Sequence, residues 1–183
     1  LKLYVDLGFA QGEANCLKGL GDCIRRLNAV TLARSKYENA LRKYREIRDK
    51  LGEANCLQAL GVLEYQDGRP RRAFDMLIEA RTLHGAIVDK LGLQGDLGYL
   101  ARAAALAGKT DHALVLADWS LAIGRAIRDT HGVAVSLALI AGLLQLGGRF
   151  EGATAALHLL VDAHRSMGNL NEAASLEHKL AAA

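Results

Sequence analysis

The chain of 183 residues is 51% apolar and 23% charged, a balance that buries a core and excludes a disordered chain. A single proline and 5% aromatic residues favour Ala- and Leu-rich helices over strands, so the expected class is all-α. The net charge of +3 is too small to imply a nucleic-acid partner; it is concentrated in residues 1–91, with 16 Lys and Arg against 12 Asp and Glu, while residues 92–183 carry 7 against 8.

Residues 1–11 align on 41–51, Leu1 with Leu41 and Tyr4 with Tyr44, and read as the tail of an earlier unit. In the first full helix Leu17, Leu20, Gly21 and Ile24 follow i, i+3, i+4, i+7 and define a packing face, with Gly21 admitting a partner helix closely. Asn28 has the chemistry of a left-handed helix end, and Ala33, Tyr37 and Ala40 on the next helix supply the answering stripe. The hexapeptide Gly-Glu-Ala-Asn-Cys-Leu at 12–17 then returns at 52–57, an offset of 40. At the same offset recur Gly12, Gly52, Gly92 and Gly132, the small residues Gly21, Gly61, Ala101 and Ala141, the turn residues Asn28, Gly68, Gly108 and Gly148, and Ala33, Ala73, Ala113 and Ala153. Four helix-turn-helix units follow, 12–51, 52–91, 92–131 and 132–171, with Pro70 at the start of the fourth helix where its missing N–H costs nothing.

The sixth helix holds Trp119, the single Trp, among Leu116, Leu121 and Ile123, which reads as packing between units. The seventh carries Val133, Val135, Leu137, Leu139, Ile140, Leu143, Leu144 and Leu146 around almost its whole circumference, so a homodimer or a bound apolar segment is expected at the C-terminal unit. Gly168 ends the eighth helix. Residues 172–183 form a last short helix whose stripe of Ala173, Ala174, Leu176 and Leu180 caps the stack.

These residues resemble the tetratricopeptide repeats, whose pattern reads W-x2-L-G-x2-Y, then A-x3-F, then A. Leu17, Leu20, Gly21, Ile24, Ala33, Tyr37 and Ala40 fill those slots in the first unit. The second matches through Leu57, Leu60, Gly61, Ala73, Leu77 and Ala80 but places Glu64 in the Tyr slot, and the fourth carries bulky Leu160 where Ala belongs. The 40-residue period is similar to the branch that includes kinesin light chains and the sensor arrays of signalling ATPases. The resemblance implies an α-solenoid, a right-handed superhelix of four such units, and a non-enzymatic role in holding a protein or peptide ligand.

No catalytic motif is present. H-E-x-x-H, G-x-S-x-G and phosphate-cradling Gly-rich loops are all missing, so no catalytic residue, metal or cofactor is expected. His158 and Asp162, i and i+4, read as a surface pair, and Arg69-Pro70-Arg71-Arg72 as a solvated turn. Cys16, Cys23 and Cys56 lack zinc or disulfide spacing and point to a reducing compartment. The run Val133 to Leu146 is too short to span a bilayer, and the chain, starting at Leu1 without a signal peptide, reads as a cytoplasmic fragment of a longer signalling or regulatory protein.

In the resembled family the first helix of each pair lines a concave groove. The corresponding face carries Asn15, Lys18, Asp22, Arg25 and Arg26 in the first unit, then Asn55, Gln58, Val62, Tyr65 and Gln66, then Gly95, Gly98, Arg102, Ala105 and Leu106. A groove passing from basic and polar to small and apolar suits a segment with an acidic end and an apolar end. The chaperone carboxylate clamp is not reproduced, since Asp22 replaces its Asn, and Lys18, Gln58, Gly98 and Ala138 break the Asn ladder of kinesin light chains. The alternative function is a small-molecule-sensing solenoid, which needs a closed apolar pocket with few polar groups.

Overall fold

The computed structural model describes residues 9–181, so the earlier-unit remnant at 1–8 and the last two residues lie outside the described part. Among the described residues the structure is helical throughout, without strands, and a helix begins every 20 residues. The first compact unit, residues 1–92, contains α1 (Ala10–Arg26), α2 (Val30–Glu46), α3 (Lys50–Gln66) and α4 (Pro70–Ala86). The second, residues 93–183, contains most of α5 (Lys90–Leu106), then α6 (Thr110–Ile127), α7 (Thr130–Leu146), α8 (Phe150–Ser166) and α9 (Leu170–Ala181).

The helices α1 to α8 all end in the same way. One residue takes φ of +57° to +76°, at Asn28, Gly68, Gly108, Gly148 and Gly168 as the sequence predicts, and also at Arg48, Val88 and Arg128. The next backbone N–H reaches the carbonyl five residues back, as in Ala29 to Ile24 at 3.3 Å, Arg69 to Glu64 at 2.9 Å and Asp89 to His84 at 2.9 Å. This closure satisfies carbonyls that the helix leaves open and turns the chain back on itself. Arg48, Val88 and Arg128 were not legible as turn residues because a side chain in the left-handed region is disfavoured. What marks those turns is the Asp that follows; Asp49 accepts from the Gly52 N–H at 3.0 Å as an N-cap of α3.

Within the first unit α1 packs on α2, α2 on α3 and α3 on α4, and α1 also meets α3. The core contains Leu17, Tyr37, Tyr44, Leu57, Leu60, Leu63 and Leu77. The small-against-large expectation holds: a Cβ on Gly21 would stand 2.6 Å from Tyr37 Cε1, and one on Gly61 2.7 Å from Leu77 Cγ. Leu20 departs from it, being 42% exposed although its counterpart Leu60 is buried, because no described helix precedes α1 to cover it. The glycines that open each unit are also spacers. Tyr44 lies over Gly52 and His84 over Gly92, where a Cβ would collide with either ring.

In the second unit α6 packs on α7, α7 on α8 and α8 on α9. Here Gly124 replaces the ring at the Tyr44 position, and buried Gln94 reaches toward Gly124 and Gly132 instead. Ser120 Oγ donates to the Gln94 carbonyl at 3.0 Å and lies 3.0 Å from Ser136 Oγ, giving this core a polar seam that the first unit lacks at Ala40 and Cys56. On α7, Leu137, Ile140, Leu143 and Leu144 are all buried within the unit, Val133 and Leu139 are half-buried, and the large apolar residues left exposed are Val135 and Leu146, the latter 81% exposed. Its apolar circumference is therefore mostly explained by packing on α6 and α8. Of the stripe on α9, Ala173 is buried whereas Ala174 is exposed.

Candidate partner-binding face and buried ion network

Three of the residues read as a groove on α1 are already engaged. Lys18 Nζ pairs with Asp22 Oδ2 at 2.8 Å, Tyr37 donates its hydroxyl to Asp22 Oδ1 at 2.8 Å, and Tyr44 donates to Asn15 Oδ1 at 2.6 Å. Burial and the Asp22 carboxylate push the Tyr37 phenol up to about 12, and burial chiefly does the same for Tyr44. Both hydroxyls therefore stay protonated donors, fixing Asp22 and Asn15 from below. Arg25 is half-buried and Arg26 exposed, both in the last turn of α1, where cations oppose the helix dipole.

On α3, Asn55 and Tyr65 are half-buried and Gln66 is exposed. Gln58 Nε2 donates to the Gly92 carbonyl at 3.3 Å. Val62 is buried and drops out of the face. Because α1 meets α3, the Asn15 to Arg26 and Asn55 to Gln66 sets share the first unit. Gly98 and Arg102, both half-buried, belong to α5 in the second unit, Gly98 facing Ser120 Oγ at 3.6 Å from an added Cβ.

Several other expectations change. Trp119, read as packed, is 54% exposed on α6; Leu116 and Leu121 supply that helix's buried side, and position 119 falls away from it. Arg69, read as part of a solvated turn, pairs through Nε with Glu64 Oε2 at 2.7 Å and also contacts Asp67. His158 and Asp162 are both exposed, and Asp162 faces Arg165 at 3.7 Å.

The network around Glu64 was missed by sequence reasoning. Glu64 is buried, paired with Arg34 of α2 and Arg69, while Arg34 also meets Asp67 at 2.9 Å. A second network lies at the other end of α3: Arg45 Nε on Glu53 at 2.8 Å, its Nη2 on Glu79 at 2.8 Å, and Lys50 on Glu53 at 2.9 Å. Burial alone would raise the Glu53 carboxyl, but Arg45 and Lys50 hold it below the usual range. The available signal was the acidic residue standing in an apolar slot, which requires a cation from elsewhere. Neither network contains a nucleophile or proton relay, and among the described residues no three His, Cys, Asp or Glu cluster as metal ligands. No helix among them is long and apolar enough to cross a membrane.

The tetratricopeptide repeat family matches residues 12–84. Among solved structures, BtubC (BKLC) from P. vanneervenii superposes with a TM-score of 0.76 at 17% identity, over 85% of this chain and 64% of that one. Aspartyl phosphate phosphatase F from Bacillus subtilis gives 0.85 at 10% identity, over 91% and 44%. A Podosopora anserina putative kinesin light chain of nearly identical TPR-like repeats gives 0.69 at 16% identity, over 92% and 93%. The chain thus spans less than two thirds of the first two of these structures. Comparison with curated protein sequences gave no match. Residues 12–84 match the tetratricopeptide repeat family, and the chain has the tetratricopeptide-like fold of these helical proteins.

Proposed function

We propose that the chain is an interaction module of a larger cytoplasmic signalling or regulatory protein, and that α1 and α3 of the first unit hold a protein or peptide segment with an acidic end. The observation that carries this reading is the division of charge on α1. Lys18 and Asp22 neutralise one another, so the positive charge left for a ligand lies at Arg25 and Arg26. Asn55 and Gln66 add groups that donate and accept along α3, suited to the backbone of an extended segment, while Gln58 is engaged with the Gly92 carbonyl. Three free thiols accord with a reducing compartment.

The test is fluorescence anisotropy with labelled peptides carrying Asp and Glu at one end and Leu and Ala at the other. Arg25→Glu with Arg26→Glu is expected to weaken binding about tenfold or more, equivalent to ~1.4 kcal/mol, and to reduce its salt dependence. Unchanged affinity and salt slope count against the reading. Self-association at the C-terminal unit rests on Val135 and Leu146, since Leu143 is inside; Val135→Ser with Leu146→Ser should convert a dimer to a monomer in light scattering.

A further inference from the structure

The two units contain the same place, eighty residues apart, in two different chemical states. In the first, the Tyr44 ring lies over Gly52, and Arg45 is neutralised by Glu53 and Glu79, each at 2.8 Å. Eighty residues on, Tyr44 has become Gly124, Glu53 has become Val133 and Glu79 has become Leu159, while Arg45 and Arg48 persist as Arg125 and Arg128. The cations are kept; the two carboxylates that Arg45 pairs with, and the ring, are gone.

What remains is a cavity of about 340 Å³ between the end of α6, the start of α7 and the second half of α8. Its walls include Arg125, Arg128, Val133, Leu137 and Leu159. Gln94 takes part of the ring's place, its Nε2 lying 2.6 Å from where a Gly124 Cβ would be, and the rest of the space stays open. Among the described residues no hydrogen bond or ion pair engages the Arg125 or Arg128 side chain. The carboxylate in the wall, Asp162, faces Arg165 at 3.7 Å. Thr130 begins α7 at the rim, after the N-cap Asp129.

We propose that this cavity is a binding site for an amphipathic carboxylic acid. Its carboxylate takes, at Arg125, the place of the missing Glu53 and Glu79 counterparts and also meets Arg128 in the same wall, and its ring or branched chain fills the space against Val133, Leu137 and Leu159. Paired cations over an apolar floor bind that combination because the charge-assisted hydrogen bonds and the buried apolar body contribute together. The volume suits one ring or side chain and not a helix. The same chemistry is offered by a free organic acid and by the last residue of a polypeptide. The site lies in the second unit and is independent of the groove residues of the first.

Isothermal titration of the 183-residue chain with 3-phenylpropionate and with 3-phenylpropanamide tests the proposal. The acid should bind, the uncharged amide about tenfold more weakly or less, and Arg125→Gln with Arg128→Gln should abolish the difference. Val133→Glu with Leu159→Glu, which restores the carboxylates of the first unit, should abolish binding with helical circular dichroism retained. A second arm uses Gly-Gly-Phe as free acid and as C-terminal amide: tighter binding of the peptide acid than of 3-phenylpropionate assigns the site to a chain terminus, and equal or weaker binding assigns it to a free acid. Absence of binding by both acids, or binding indifferent to the two Arg→Gln changes, overturns the proposal.

Discussion

Glu64 on α3, 1% exposed, is held by Arg34, which reaches across from α2. The second cation, Arg69, belongs to the turn that leaves α3, so the carboxylate joins consecutive helices at a slot that is otherwise apolar. Removing a partner of a buried charge costs more than removing the charge, because the orphaned ion keeps its desolvation penalty. Arg34→Ala is therefore expected to lose about 1–3 kcal/mol in urea unfolding, with Glu64→Leu losing less. A larger loss for Glu64→Leu contradicts the assignment.

Glu53 makes part of the stability pH-dependent. Its folded-state pKa lies below that of the unfolded chain, so its contribution is complete above the unfolded value, about 4.3, and is lost as pH falls through the folded value. Glu53→Gln should lower stability at neutral pH and flatten the acid limb of the stability profile. Parallel profiles for the two proteins exclude this role.

Glycines two residues apart on α1 should respond in opposite directions. A Cβ at Gly21 meets the packed Tyr37 ring at 2.6 Å, whereas one at Gly19 has nothing within 4 Å. Gly21→Ala is expected to destabilise by about 1–3 kcal/mol through overpacking, and Gly19→Ala to stabilise by about 0.5–1 kcal/mol through helix propensity. Denaturant midpoints for both variants check this.

Val88 holds φ of 58° and is exposed, so its β-branched side chain bears left-handed strain without compensating burial. Val88→Gly should raise stability by about 1 kcal/mol, seen as a higher thermal midpoint. Gly68→Val, the reverse change at an open turn with φ of 70°, should lower it by a similar amount.

The 40-residue offset determined the helical class and the pairing of helices, because identical local signals repeated in sequence build identical local structure. The glycine and asparagine turns at 28, 68, 108 and 148 were legible for the same reason: they act through the backbone alone. The Arg48, Val88 and Arg128 turns were hidden, since packing on both sides imposes a conformation those residues do not prefer. Tertiary structure alone decided which of the residues read as a groove are already engaged. Sequence placed Lys18 beside Asp22 on one helical face, but the Tyr37 hydroxyl that fixes Asp22 arrives from another helix. It likewise decided that Glu64 would find Arg34 thirty residues earlier, and that Arg125 and Arg128 would face a cavity with neither of the carboxylates that Arg45 has. Spacing along a chain sets the face of a helix on which a side chain stands; the charges and volumes opposite that face belong to other helices, and only folding brings them together.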